Sequence, residues 1–351
     1  MSDTDVLVER AGALGIVTLN RPQALNTITL DMYRRIDPAL IAWRDDPSVA
    51  ALLTRGVGDR AFCAGGDVVA VYRARREPPG PGDYKALFFA EEYRLIRRVH
   101  RYPKPTLALV DGITMGGGMG ISVNGRFRVA TERTVFAMPE VHIGLFPDVG
   151  ATRFLNRCPG RIGLYLALTG TRVGPADALY CGFATHFVPH ARMGELTEAL
   201  AKDANVPAIE GALVRVAGDP GPAVLPPLKE AIDRCYSAES VAAIMSRLAR
   251  EEGAWAKEAL DQMRHASPIS MAITFRQLAQ GAGMEIEAAL ALEFRMTQHC
   301  MAGEDFYEGI RAVQVDKDRK PRWRHASPEA VPEAEVDAHF APLGTGELTF
   351  D

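Results

Sequence analysis

Through its first 190 residues the chain alternates short β-branched runs, glycine turns and helical stretches, a rhythm that argues for an α/β fold with strands covered by helices. "GIVTLNRP" (15–22) reads as a strand ending at Pro22. "TLDMYRRIDPALIAWRDD" (29–46) reads as a helix capped by Thr29, with a kink or break expected at Pro38. "VAALLTRG" (49–56) and "PTLALVDG" (105–112) suit buried strands, and "GRFRVATERTVFAMPE" adds one or two more. "YKALFFAEEYRLIRRVHRY" has helical spacing and stops before Pro103, whereas "RARREPPGPGDY" (73–84) reads as an exposed, mobile loop.

After about residue 190 the texture becomes helical. "ARMGELTEALAKDA", "LPPLKEAIDRCYS", "ESVAAIMSRLAREEGAWAKEALDQMRH", "SPISMAITFRQLAQGAG" and "MEIEAALALEFRMTQHCMAGEDFYEGIRAV" are separated by Gly, Pro and Ser. "SPISMAITFRQL" opens with a capping Ser followed by Pro at the first helical position. The expected organisation is an α/β core over 1–190 and a helical cap or assembly region over 191–351, whose polar tail "DKDRKPRWRHASPEAVPEAEV" lies extended on the surface.

Composition narrows the class of function. Hydrophobic residues make up 47% and charged residues 24%, with a net charge of -4, so neither a nucleic-acid surface nor a polybasic membrane patch is indicated. No apolar run approaches the roughly 20 residues that span a bilayer. "MSDTDVLVERAG" carries acids and no apolar core of a signal peptide. The five cysteines are scattered without CxxC spacing, and the eight histidines show no HExxH, which points to free thiols in a reducing compartment and no metal. A cytoplasmic protein is expected on these grounds.

Two glycine clusters, "AFCAGGDV" (61–68) and "DGITMGGGMGISV" (111–123), flank the central strands. Neither is followed by GK[ST], and neither has the acidic ribose partner of a dinucleotide-binding unit. By count alone, tight turns or close packing explain such glycines better than a binding role. Position favours more: Gly116, Gly117 and Gly118 follow a strand and open a helix, where unpaired N–H groups carry partial positive charge. With a further N–H from "CAGGD", two donors converging on one oxygen would form an oxyanion hole.

"MPEVHIGLFPDVGATRF" (138–154) places Glu140 and Asp148 in an otherwise apolar, glycine-rich stretch. They are either solvated loop acids or a pair facing a dry pocket, where their pKa values are pushed apart to suit one acid and one base. Cys63 and Cys158 lack a histidine at a suggestive spacing and read as small hydrophobes. His142 reads as structural rather than catalytic. Arg21 and Arg128 are weak candidates for contacts to phosphates.

"NRPQALNTI", "AFCAGGDV", "DGITMGGGMGISV" and "FAMPEVHIGLFPDVGATRFL" together resemble the crotonase (enoyl-CoA hydratase/isomerase) superfamily, most nearly its 3-hydroxyisobutyryl-CoA hydrolase branch; "EFRMTQHCMAGEDFYEGIRAVQVDKDRKPRW" extends the match. The resemblance implies a crotonase-like (ClpP/crotonase) ββα superhelix, with two roughly perpendicular sheets and C-terminal helices covering the site or supporting trimerisation. It implies an acyl-CoA substrate, with CoA as part of that substrate and no resident cofactor, and a homo-oligomer, trimeric or other. By motif match, the amides of Gly66 and Gly117 would form the oxyanion hole, Glu140 would be nucleophile or general base, and Asp148 would orient the attacked group or protonate CoA. Glu92 would contact the hydroxyacyl end; its alternative is an exposed helix acid. Gly120 stands where hydratases carry a second glutamate, and "FPDVG" has the hydrolases' aspartate. His142, Ala151 and Thr152 depart from the hydrolase pattern near the acyl pocket, so the acyl group is the least defined part. Rival readings are a hydratase or isomerase using Glu140 alone, an aryl-CoA dehalogenase, and a non-catalytic acyl-CoA-binding protein.

Overall fold

A computed structural model of the chain describes residues 4–76 and 82–350. Its strands are β1 (Val6–Ala11), β2 (Leu14–Leu19), β3 (Ala51–Gly56), β4 (Ala61–Cys63), β5 (Thr106–Val110), β6 (Ile113–Met115), β7 (Phe127–Ala130), β8 (Val135–Ala137) and β9 (His186–Phe187). Its first helices are α1 (Leu30–Asp45), α2 (Val68–Arg73), α3 (Tyr84–His100), α4 (Gly117–Val123), α5 (Ala151–Phe154), α6 (Ile162–Thr169), α7 (Pro175–Cys181), α8 (Met193–Lys202) and α9 (Val206–Val216). The remainder are α10 (Lys229–Tyr236), α11 (Val241–Leu248), α12 (Ala254–His265), α13 (Pro268–Gln280), α14 (Ile286–Ala302), α15 (Asp305–Ile310) and α16 (Glu333–Ala338).

The chain divides into two compact units. The first gathers Met1–Asp67, Arg94–Phe136 and Val173–Val224; the second gathers Val68–Tyr93, Ala137–Arg172 and Leu225–Asp351. In the first, a six-stranded sheet runs in the order β1-β2-β3-β5-β7-β9. Only the β1–β2 pair in it is antiparallel, with Val6 opposite Leu19; β2, β3, β5, β7 and β9 pair in parallel. The strands of β2 and β5 are buried on both faces, as parallel strands covered by helices require. Leu14, Ile16, Leu53, Leu107, Leu109 and Val129 pack with Leu196, Leu200, Ile209 and Leu213 of α8 and α9 to form the core. The short strands β4, β6 and β8 form a separate three-stranded sheet.

Helix α1 begins where expected, with the Thr29 hydroxyl accepting from the Met32 amide at 3.2 Å. The break expected at Pro38 does not occur: the helix continues through it to Asp45, with Ile36 and Leu40 buried on either side. Proline removes one helical hydrogen bond, and burial of the flanking apolar stripe offsets that loss. The loop expected over 73–84 is shorter, since α2 reaches Arg73 and a 3₁₀ turn covers Ala74–Arg76; its residues 77–81 lie outside the described ones. The tail is not wholly extended, because α16 interrupts it.

The second unit is helical apart from its loops. Ser267 caps α13 as its sequence predicts, its hydroxyl accepting from the Ser270 amide at 3.2 Å. The same hydroxyl donates to Asp305 at 2.6 Å, which ties α13 to the start of α15.

Candidate active site

In the first unit, Asn26 organises the first glycine turn. It is fully buried with φ +56°; its amide donates to the carbonyls of Val57 and Ala61 at 2.9 and 2.8 Å, and its oxygen accepts from the Arg21 amide at 2.9 Å. The following residues grip the turn: the Ile28 amide donates to Gly65 O and the Asp67 amide to Ile28 O, both at 2.9 Å. In this parallel bridge Ile28 uses the groups on either side of Gly66, so the N–H of Gly66 itself points away from it.

The second turn lies directly against the first. Gly117 is the first residue of α4, where a helix leaves its N–H without an intrahelical partner. A methyl group on Gly65 would sit 3.8 Å from Gly117 N, and one on Gly118 would sit 2.2 Å from the Cys63 carbonyl oxygen. That approach is possible only for glycine. Gly118→Ala is expected to force β4 and α4 apart at a cost of about 1–3 kcal/mol, read as a lowered midpoint in chemical unfolding; wild-type stability would contradict the contact.

The acids belong to the second unit. Glu92, Glu140, Asp148 and Glu293 are 2%, 5%, 4% and 0% exposed. The alternative of solvated loop or surface acids is thereby excluded for Glu92, Glu140 and Asp148. Glu140 opens a 3₁₀ turn, Glu140–Ile143, closed by Gly144 in the left-handed region. Backbone contacts lock this turn in place: the Ser267 amide donates to Val141 O at 2.9 Å, and a methyl on Gly144 would meet the Asp305 carbonyl at 2.1 Å. One oxygen, Oε2 of Glu140, is buried with no hydrogen-bond partner in the described structure. Such a group is a strain unless a ligand uses it.

Burial, then the charge of Asp148, pushes the Glu140 carboxyl well above its ordinary range, with a smaller push from Glu92. Burial also raises Asp148 to about 6, opposed by the Tyr93 hydroxyl, which donates to Asp148 Oδ2 at 2.6 Å. Tyr93 is itself fully buried, and burial and the surrounding acids hold its proton firmly. Glu293 is raised to about 8 by burial, although it accepts from the amides of Gly150 and Thr152 at 2.7 and 2.9 Å.

These acids bind protons more tightly folded than unfolded, so they lower stability as pH rises from their usual values through their folded ones. For Asp148 that window runs from 3.8 to about 6, on the order of 3 kcal/mol in all; for Glu293 it runs from 4.5 to about 8. Their joint contribution should make the protein less stable at pH 8 than at pH 5 in chemical unfolding; a rise over that range would contradict it.

The weaker candidates are turned inward. Arg128 donates to the carbonyls of Phe183, Gly125 and Gly182 at 3.2, 2.8 and 3.0 Å, and burial lowers it to about 10. Arg21 donates to Thr27 O at 2.8 Å and pairs with Asp5 and Asp67 at 3.4 Å. His142 Nε2 lies 2.9 Å from the Thr169 carbonyl, so it carries the proton and donates, and burial keeps the ring neutral. All five cysteines are buried and none is in a disulfide, Cys63 and Cys158 among them. Among the described residues no group of His, Cys, Asp and Glu is placed to hold a metal, and no helix is long and apolar enough to cross a membrane.

Tyr93 and Glu293 were not singled out by the sequence, yet both carry a signal there. Tyr93 lies on the buried stripe Phe89, Tyr93, Ile96 of α3, and Glu293 interrupts the stripe Ala289, Leu290, Glu293, Phe294, Thr297 of α14. A carboxylate on the apolar face of a helix is a buried acid in want of partners.

A family profile described as enoyl-CoA hydratase/isomerase matches residues 14–340. The mitochondrial 3-hydroxyisobutyryl-CoA hydrolase of Xenopus tropicalis is 44% identical over 356 residues, covering 99% of this chain and 91% of that protein. The mitochondrial protein of the same name from Homo sapiens is 41% identical over 353 residues, with the same 99% and 91% coverage. Among solved structures, an enoyl-CoA hydratase from Rhodobacter sphaeroides 2.4.1 superposes with a TM-score of 0.91 at 42% identity, covering 99% of this chain and 100% of the other. A carnitinyl-CoA dehydratase from Mycobacterium thermoresistibile gives 0.93 at 41% identity, covering 99% of each. The mitochondrial naming of these relatives overturns the expectation of a cytoplasmic protein. That expectation rested on scattered cysteines, an N-terminus without the apolar core of a signal peptide and no bilayer-length apolar run, none of which distinguishes one reducing compartment from another. With the profile match spanning most of the chain and relatives above 40% identity along nearly all of it, the chain belongs to the enoyl-CoA hydratase/isomerase (crotonase) family.

Proposed function

We propose that this chain is an acyl-CoA thioester hydrolase that cleaves 3-hydroxyisobutyryl-CoA to free CoA and the short hydroxy acid, a step of valine degradation. The observation that carries the reading is the buried pair Glu140 and Asp148, with Glu140 Oε2 lacking any hydrogen-bond partner in the described structure. The names of the curated relatives support the substrate.

In this reading the thioester oxygen takes up negative charge against the amides of Gly66 and Gly117. In this reading the pair carries one proton, burial having raised both carboxyls, and that proton starts on Glu140. Passing it to Asp148 frees Glu140 either to attack the carbonyl, giving a mixed anhydride, or to deprotonate the attacking water. The same transfer arms Asp148 to protonate the departing CoA sulfur, while the Tyr93 hydroxyl steadies the aspartate when it is charged. Glu92 would contact the hydroxyacyl end. CoA enters only as part of the substrate, with no resident cofactor, and a homo-oligomer is part of the proposal.

A second reading, water addition to an enoyl-CoA or double-bond isomerisation, is favoured by the hydratase and dehydratase names of the solved structures. Against it stands Gly120, a buried helical glycine where the hydratases carry their second glutamate. The acyl group is tested by thiol release from a panel of short 3-hydroxyacyl-CoAs. Fastest turnover of the branched four-carbon substrate supports the assignment, and preference for an unbranched acyl chain overturns it.

A further inference from the structure

The segment carrying Asp148 has an unfavourable backbone. Val149 is β-branched yet sits at φ +57°, and Gly150 follows at φ +90°. A β-branched residue in the left-handed region persists only where its surroundings enforce it. Two helices of the same compact unit supply that enforcement. From α14, the Glu293 carboxylate accepts from the amides of Gly150 and Thr152, 143 and 141 residues away in sequence. From α13, the Gln277 amide donates to Pro147 O at 2.7 Å and to the Thr152 hydroxyl at 2.8 Å. The partners of Glu293 thus begin two residues after Asp148, immediately beyond the strained valine.

The geometry points to Glu293 as a positioning residue: a fully buried carboxylate that clamps the left-handed Val149–Gly150 turn and thereby aims Asp148 at the reacting thioester. This rests on the hydrolase reading of Asp148. The ionised form, which the two amides favour against the burial that raises its proton affinity, suits the task because it accepts from both at once, whereas a carboxamide presents one acceptor and turns a donor toward the other N–H. Glu293 reaches the chemistry only through the backbone, and its effect should fall on the rate of the bound complex rather than on CoA binding.

The test is Glu293→Gln, followed by steady-state thiol release and by hydrogen exchange over a peptide spanning 147–153. The expected result is a fall in kcat of about 10- to 100-fold with KM within about threefold, together with amide exchange at least about tenfold faster. Val149→Gly adopts the turn without strain, so E293Q should lower kcat less in that background than in wild type. Where E293Q does not fold, Glu293→Asp, which keeps the charge at shorter reach, carries the same comparison. A kcat within about threefold of wild type in a folded variant overturns the proposal, as does a lowered kcat with unchanged exchange. Should wild type release no thiol from any acyl-CoA, the hydrolase reading fails, and the exchange measurement still decides the clamp separately.

Discussion

Glu140→Gln is expected to reduce kcat for thioester hydrolysis by on the order of 10³-fold or more, with KM nearly unchanged. The substitution is close to isosteric and replaces a buried carboxyl whose Oε2 has no partner in the described structure, so the 3₁₀ turn that carries it should survive. Ser267 and Asp305 fix that turn through its backbone, not through the Glu140 side chain. The pH profile gives an independent check. Glu140 must be anionic to act, and burial together with the Asp148 charge raises its affinity for a proton. The acid limb of the wild-type kcat profile should therefore lie above the ordinary carboxylate range. Turnover by E140Q within tenfold of wild type would remove Glu140 from the mechanism.

Asp148→Asn should lower kcat by about 10²-fold or more while raising stability. The asparagine oxygen can still accept from the Tyr93 hydroxyl, so the geometry is retained and the proton-transfer capacity is lost. What disappears with it is the cost of ionising a carboxyl whose buried value is about 6. Above that pH the variant should exceed wild type by up to about 3 kcal/mol, and below about pH 4 the two should converge. Chemical unfolding at pH 4 and pH 8 reads this directly. A variant less stable than wild type at pH 8 would mean that the aspartate is held by favourable interactions rather than kept for chemistry.

Much of this was legible in the residues because the signals are local. β-Branched runs bounded by glycine and proline mark β2, β3 and β5, and Ser267-Pro268 marks the start of α13. Glu140 and Asp148 stand out because two acids share one apolar stretch. The misreadings have equally specific causes. Pro38 signals a helix break by its covalent structure, yet the buried stripe of α1 carries the helix past it. Glu92 could be read either way, since the helical period does not say which helix face meets another acid. Tyr93 and Glu293 act on the Asp148 segment across 55 and about 140 residues of chain. No spacing rule reaches that far; only the odd polar residue on an apolar stripe hints at it. The division of the chain into two interleaved units is a property of contacts, whereas the change of texture near residue 190 records only a change of element type.

The central claim is that the buried acids hydrolyse a thioester rather than add water to a double bond. The most direct measurement presents the purified protein with 3-hydroxyisobutyryl-CoA and, separately, crotonyl-CoA, following thiol release and enoyl absorbance in each. Stoichiometric CoA release from the first, with the absorbance of the second unchanged, is the predicted result. Loss of enoyl absorbance from crotonyl-CoA with no thiol released from 3-hydroxyisobutyryl-CoA would contradict it.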